Sequence, residues 1–180
     1  MAEWSQIARR IRVPLGFLFA VLYFWLARPT WRSIALGAIG VVAGLLIRAL
    51  ASGHVHKNEA LATSGPYGHT RNPLYLGSLI MGLGFCAAAR SWWVGVALVV
   101  MFVAIYLPVI RDEEAFLRGK FPEFEEYARM VPRMVPRLRA SDAPSGAFSL
   151  ELYLKHREYN ALLGAVGMMA GLIAKLRLSS

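Results

Sequence analysis

Uncharged apolar runs separated by short polar segments make up most of this chain. Five runs of 15 to 20 residues contain no Asp, Glu, Lys or Arg, and they extend over 13–27, 33–47, 72–89, 91–110 and 159–174. A helix needs about 20 apolar residues to cross a bilayer, and flanking residues or snorkelling arginines extend the shorter runs. The pattern therefore predicts an all-α, polytopic membrane protein of about five transmembrane helices.

Short turns group these runs into two predicted helical hairpins and a C-terminal helix. We predict one domain with a hairpin over 13–50, a motif loop over 52–71, a hairpin over 72–110, a cytosolic segment over 111–158 and a C-terminal helix over 159–176. Within the cytosolic segment, apolar residues at helical spacing predict an amphipathic helix or helix pair on the membrane face, which Pro122 interrupts. We expect 131–137 to be extended and 141–149 to be a loop.

Composition and charge support a membrane location. Hydrophobic residues make up 57% of the chain and charged residues only 17%, which is unusual for a soluble domain. The net charge of +9 would suit nucleic acid, but 15 of the 20 basic residues lie on the cytoplasmic side if the N-terminus is cytoplasmic and all five runs cross. This asymmetry follows the positive-inside rule. We therefore expect the bilayer rather than nucleic acid as partner, with the N-terminus and motif loops cytoplasmic, at the inner membrane if the protein is bacterial.

The polar residues before the third run point to a ligand site or to a capped helix. Asn72 is a favoured N-cap residue and Pro73 a favoured first helical residue, so the two predict a helix start. The free N–H groups of a helix start attract anions, and Arg71 adds a cation beside them. The same residues are equally typical of a membrane helix with interfacial tyrosines and a snorkelling arginine.

Other charged residues lie near the ends of the runs. Glu113 and Glu114 follow the fourth run, where they suit either a solvated helix end or a cationic ligand on the side of Arg71. Arg48 lies about one turn inside an otherwise uncharged stretch, which indicates a functional residue or a snorkelling side chain. His54 and His56 are accompanied by no second pair of metal-binding side chains, so no metal site is predicted.

Two sequence blocks resemble the signature of an integral membrane methyltransferase superfamily that includes isoprenylcysteine carboxyl methyltransferases and phospholipid methyltransferases. The first block reads ATSGPY over 62–67 and RNPLYLG over 71–77; the second contains Glu113 and Glu114, then Phe121, Tyr127 and VPRMVP over 131–136. The resemblance implies S-adenosylmethionine as methyl donor, S-adenosylhomocysteine as product, a cytosol-facing pocket covered by the C-terminal segment, and a lipophilic acceptor that enters from the bilayer.

The resemblance and the chemistry of the donor together give a set of candidate residues. Asn72 stands where many members have His, so no role that needs an imidazole is implied there; His69 stands where Tyr or Trp is common. The candidate catalytic residues are Arg48 and Glu113. The candidate cofactor-binding residues are Gly65, Pro66, Tyr67, His69, Arg71, Asn72, Pro73, Tyr75, Leu76, Gly77, Glu113 and Glu114.

The acceptor decides which chemistry these residues must supply. The methyl donor is already activated, so the protein gains most by alignment and exclusion of water. A carboxylate acceptor needs only a cation such as Arg48 to place it, whereas an amine must lose a proton, with Glu113 or His69 as available bases. The favoured prediction is carboxyl O-methyl transfer, most like the isoprenylcysteine enzymes. The alternatives are a phospholipid N-methyltransferase, a reductase, and a non-enzymatic membrane assembly or transport subunit.

Overall fold

All secondary structure is helical in the computed structural model, which describes residues 2–56, 59–139 and 146–179, with side chains from residue 14 onward. The helices are α1 (Ala2–Leu26), α2 (Trp31–Ser52), α3 (Pro73–Ala89), α4 (Trp92–Met101), α5 (Leu107–Lys120), α6 (Phe124–Met130), α7 (Leu150–Lys155) and α8 (Tyr159–Leu178), with a 3₁₀ turn at Gly65–Gly68 and a π turn at Phe102–Tyr106. The predicted all-α class is confirmed. Part of the loop predicted over 141–149 lies outside the described residues.

Several helices have the length and composition of membrane spans. Within the described residues, Trp31–Ser52, Trp92–Lys120 and Tyr159–Leu178 are long and apolar enough to cross a bilayer, and Pro14–Leu26 and Pro73–Ala89 are shorter apolar helices. The chain is therefore an integral membrane protein, with helices close to the five predicted positions.

The fourth helix extends farther than the apolar run predicts. α4, the π turn and α5 form one helix from Trp92 to Lys120, so the helix continues beyond the end of the apolar run at residue 110. The polar residues after Ile110 continue the helix because no proline occurs between Pro108 and Pro122. The predicted interruption at Pro122, between α5 and α6, is confirmed. The π turn lies directly before Pro108, whose ring and missing N–H disturb regular α-helical bonding.

Glycines allow α2 and α3 to pack backbone against backbone. A β-carbon added at Gly44 would lie 2.5 Å from the carbonyl oxygen of Gly77, and one added at Gly37 would lie 2.5 Å from that of Gly84. Short turns connect α1 to α2 and α3 to α4. The most extensive packing joins α2 to α3 across the motif loop, and α1 packs mainly against α4 and α5 rather than against α2. Small residues allow this close approach in membrane helices.

The end of the bundle opposite the motif loop is closed by contacts among α1, α3 and α8. The hydroxyl of Tyr23 donates to the carbonyl of Phe85 (3.1 Å). The ammonium of Lys175 on α8 donates to the carbonyl oxygen of Ala27 (2.7 Å) and to that of Phe24. These bonds satisfy carbonyl groups at the end of α1 that have no partner within their own helix. They also hold α8, and the segment before it, against the bundle.

Candidate active site

The predicted helix start at Asn72 and Pro73 is confirmed: Asn72 occupies the N-cap position, but its side chain makes no capping hydrogen bond. α3 begins at Pro73, and the N–H of Leu76 donates to the carbonyl of Asn72 (3.0 Å), which closes the first turn. The side-chain amide of Asn72 instead donates to Oε1 of Glu114 (2.9 Å) and to the carbonyl of Arg133 (3.1 Å). The residue thus ties the start of α3 to α5 and to the segment after α6.

Glu114 is the centre of a buried ionic cluster at this end of the bundle. Its side chain is only 4% exposed, and Oε2 lies 2.7 Å from Nη2 of Arg133. Oε1 lies 3.4 Å from Nε of Arg71, which is buried and has no hydrogen-bond partner within the described residues. Nη1 of Arg71 donates to the carbonyl of Ala128 (3.2 Å). One negative carboxylate is therefore paired with two positive guanidinium groups. Positive charge remains in excess beside the start of α3.

The neighbouring carboxylate, Glu113, points the other way. It is exposed, and its Oε1 accepts a hydrogen bond from the hydroxyl of Tyr75 (2.9 Å). The ring of Tyr75 meets the ring of Tyr106 edge to face, with centroids 5.8 Å apart. Adjacent positions on a helix face different directions, which explains why one acid is buried and the other is accessible.

The loop that contains the first motif packs tightly onto α6. Gly65 has a φ of 55°, and a β-carbon there would lie 2.6 Å from the His54 ring, so a larger residue would be strained and crowded. Pro66 begins the 3₁₀ turn. Tyr67 is buried, and its carbonyl accepts from the hydroxyl of Tyr127 (2.8 Å). Burial, and then the neighbouring Tyr127, raise the pKa of the Tyr67 phenol, which therefore stays neutral.

The residues before α3 also bond to the segment over 131–137. The carbonyl of His69 accepts from the N–H of Arg137 (3.0 Å), and Nδ1 of His69 lies 2.8 Å from the carbonyl oxygen of Arg137. The N–H of Arg71 donates to the carbonyl of Pro132 (2.9 Å). No helix forms over 131–137, as predicted. His69 is therefore bonded to the protein backbone.

Arg48 lies at the same end of the bundle as the motif loop, and an apolar cavity extends from it toward the middle of the bundle. Nε of Arg48 lies 2.5 Å from Oε1 of Glu158, and Nη1 donates to Oγ of Ser78 and to the carbonyl of Leu74 (3.4 Å). Arg48, Ser78 and Tyr106 line a cavity of about 270 Å³ whose other walls are mainly apolar, among them Phe19, Phe85, Leu98 and Phe102. A β-carbon on Gly77 would lie 2.7 Å from Cγ of Arg48, so this glycine leaves room for the arginine stem.

Two residues that form ion pairs near the site, Glu158 and Arg133, were not identified from the sequence. Glu158 lies 110 residues from Arg48 and offered no signal beyond a carboxylate directly before an apolar run. Arg133 belongs to the second block, but nothing in its spacing indicated Glu114 as its partner. Both pairs join segments that are distant in sequence.

The histidine side chains do not come together at one site. Nδ1 of His54 lies 2.7 Å from the carbonyl oxygen of Leu50, and Nδ1 of His56 lies 3.9 Å from Oε2 of Glu59. Within the described ranges, no three His, Cys, Asp or Glu side chains come close enough together to hold a metal ion.

The chain matches one known protein family over more than half of its length. Residues 11–123 match the model of the phospholipid methyltransferase family. The chain belongs to the phospholipid methyltransferase family. This confirms the superfamily resemblance, and the matched stretch includes Arg48, the first motif block, Glu113 and Glu114. Arg133 and Glu158 lie beyond it.

Two curated relatives carry names that refer to metal resistance. The chain is 40% identical over 134 residues to the cobalt-zinc-cadmium resistance protein CzcN of Cupriavidus metallidurans, which covers 71% of this chain and 62% of the relative. It is 36% identical over 114 residues to the nickel-cobalt-cadmium resistance protein NccN of Alcaligenes xylosoxydans xylosoxydans, which covers 61% of this chain and 54% of the relative. The matches thus span little more than half of each relative. No solved structure matches the chain.

Proposed function

We propose that this phospholipid methyltransferase family member transfers a methyl group from S-adenosylmethionine to a lipophilic acceptor at the membrane. The observation that carries the proposal is the contact between Tyr75 and Tyr106. Tyr75 belongs to the family motif and bonds to Glu113, whereas Tyr106 lines the apolar cavity that contains Arg48. Charged groups suited to a polar donor therefore adjoin a space suited to an apolar acceptor.

The residues at the motif end fit the donor. S-adenosylmethionine supplies an activated methyl group on a sulfonium, and it also carries a carboxylate and an ammonium. Arg71 and Arg133 share the single carboxylate of Glu114, and the start of α3 adds positive potential, so this corner suits the carboxylate. The exposed carboxylate of Glu113 suits the ammonium, and the Tyr75 ring suits a cationic sulfonium. Glu114 contacts Asn72, Arg71 and Arg133 and so holds these side chains in position.

The cavity that Arg48 lines favours a carboxylate acceptor. The charged group that lines the cavity is the guanidinium of Arg48, which attracts an acid and repels an ammonium. In the proposed reaction an oxygen lone pair of the acceptor forms the new C–O bond. The S–CH₃ bond breaks with its electron pair remaining on sulfur, and no proton moves. The protein needs only to align the groups and exclude water.

Two other candidates are favoured by specific observations. The family description favours an amine on a phospholipid headgroup, and the exposed carboxylate of Glu113 is then available to receive its proton. The names of the two relatives refer to metal resistance and not to methyl transfer, so the non-enzymatic assembly or transport subunit is kept as the second candidate.

A binding titration tests the proposal first. Protein in nanodiscs should bind S-adenosylmethionine and S-adenosylhomocysteine but not NADPH. Arg71→Ala and Glu113→Gln each remove a charge-assisted contact, which costs about 1.5–3 kcal/mol, or roughly ten- to hundredfold in affinity. Arg129→Ala and Glu126→Gln change the same residue types at exposed positions on α6 and should bind like the wild type. Binding of NADPH alone would support a reductase, and binding of neither would support the non-enzymatic subunit.

A further inference from the structure

The ion pair between Arg48 and Glu158 is the main polar feature beside the apolar cavity. Arg48 comes from the last turns of α2, and Glu158 directly precedes α8. The Arg48 side chain is 22% exposed and that of Glu158 is 11% exposed, so both charges are largely removed from water. A pair this buried is costly to break, because the remaining charge loses its partner.

The two charges are placed differently with respect to the cavity. Arg48 lines it together with Ser78 and Ala161, whereas Glu158 contacts the guanidinium without lining the cavity. Nε of Arg48 is held by Glu158, and Nη1 is held by Ser78 and Leu74. Nη2 has no hydrogen-bond partner among the described residues. An acidic group at the polar end of the cavity would therefore meet Nη2 while the protein continues to hold the other two nitrogens.

We infer that Glu158 is a positioning residue that balances the charge of Arg48 for an acidic acceptor. The inference rests on the proposed methyl transfer. The acceptor carboxylate loses its negative charge as the C–O bond forms, so an unbalanced arginine would stabilise the charged ground state more than the transition state. Interactions that are stronger in the ground state slow the chemical step. Glu158 offsets part of the attraction between Arg48 and the bound acid, while it fixes the direction of the guanidinium.

This role predicts a combined change in KM and kcat that a merely structural contact would not produce. Glu158→Gln keeps an oxygen for Nε but removes the charge, so Arg48 should hold an acid more tightly. The KM for the acid should fall roughly five- to tenfold, and kcat should fall with it, because the ground state gains more stabilisation than the transition state. Lost folding or a misplaced arginine would instead raise KM or lower kcat alone.

The experiment measures binding without a donor and then turnover. Decanoate, decylamine and decanol are titrated into nanodisc-embedded wild type, Glu158→Gln and Glu151→Gln, a matched control on α7 whose side chain is exposed. Wild type should bind decanoate more tightly than decylamine. Glu158→Gln should strengthen decanoate binding about tenfold and leave decanol unchanged, whereas Glu151→Gln should match the wild type. Glu158→Asp, which moves the carboxylate back by one methylene, should shift decanoate binding in the same direction but less.

Unchanged or weaker decanoate binding in both Glu158 variants would overturn the inference. So would a wild type that prefers decylamine, or a Glu158→Gln variant that loses turnover only with phosphatidylethanolamine, because the residue would then serve an amine. The binding arm contains no methyl donor, so it tests Glu158 even if the protein transfers no methyl group. Conversely, methyl transfer without the binding shift would leave the proposed function intact and remove only the role of Glu158.

Discussion

Nδ2 of Asn72 lies 2.9 Å from Oε1 of Glu114, and this bond joins the start of α3 to α5 across 42 residues of sequence. The same carboxylate bonds to Arg133 in the segment after α6. One buried acid therefore connects both blocks of the family signature, and the shape of the proposed donor pocket depends on it.

Glu114→Ala should strongly destabilise the protein. It leaves Arg71 and Arg133 without their buried anion, and removal of one partner from a buried ionic cluster costs about 3–5 kcal/mol. Glu125→Ala is the matched control, because it breaks an exposed pair with Arg118 and should cost less than about 1 kcal/mol. Thermal unfolding in nanodiscs measures both. Equal, small losses of stability in the two variants would show that the ionic cluster around Glu114 does not stabilise the fold.

Gly77 should tolerate no large side chain. A β-carbon there would meet the backbone of Gly44 and the stem of Arg48 at 2.7 Å, and overpacking at such a contact separates the helices. Gly77→Leu should therefore reduce the yield of folded protein in the membrane. Gly164→Leu, on α8 where an added β-carbon would contact no neighbouring helix within 4 Å, should be nearly neutral. Folded Gly77→Leu at wild-type yield would contradict the packing between α2 and α3.

The sequence predicted the parts of the fold that depend on local chemistry. Uncharged runs located the helices, and the Asn72–Pro73 pair located the start of α3, because length in apolar residues and backbone geometry are local properties. The break at Pro122 is local in the same sense. Helix ends were less predictable, since α5 continues through charged residues as far as Lys120 without losing backbone hydrogen bonds.

The sequence did not predict which charged groups pair. Asn72 was expected to cap α3 and instead reaches Glu114, and Arg48 was expected to meet the interface or a ligand and instead meets Glu158. Such pairs depend on how helices pack in three dimensions. The π turn at Phe102–Tyr106, which places Tyr106 in the cavity wall, carried no sequence signal except the nearby Pro108.

The topology is expected to have the N-terminus and both motif blocks in the cytoplasm, as the distribution of basic residues predicts. In a Cys86→Ser background, single cysteines at the exposed positions Ala60 and Ala147 should react with an impermeant reagent from the cytoplasmic side only. A cysteine at Arg90, between α3 and α4, should react from the opposite side. Labelling of Ala60 and Ala147 variants from different sides would contradict the arrangement.

Arg48 and Arg71 should affect different steps. Arg48→Lys keeps a positive charge for Glu158 but loses the planar guanidinium, so donor affinity should stay near wild type while transfer to an acid falls at least about tenfold. Arg71→Ala should weaken donor binding instead. Donor affinity from titration and initial rates at saturating donor separate the two effects. Full turnover by Arg48→Lys on an accepted acid would assign Arg48 to the stability of the bundle alone.

Carboxyl methyl transfer is tested most directly by the incorporation of a labelled methyl group. Nanodisc-embedded protein is incubated with S-adenosylmethionine labelled in its methyl group and with decanoate or phosphatidylethanolamine, and the lipid extract is then treated with alkali. Label should appear in the decanoate extract, and alkali should release it as methanol, because the product is an ester. Alkali-stable label on phosphatidylethanolamine would establish N-methyl transfer instead. Absence of label from every extract, with the donor shown to bind, would contradict methyl transfer to these lipophilic acceptors.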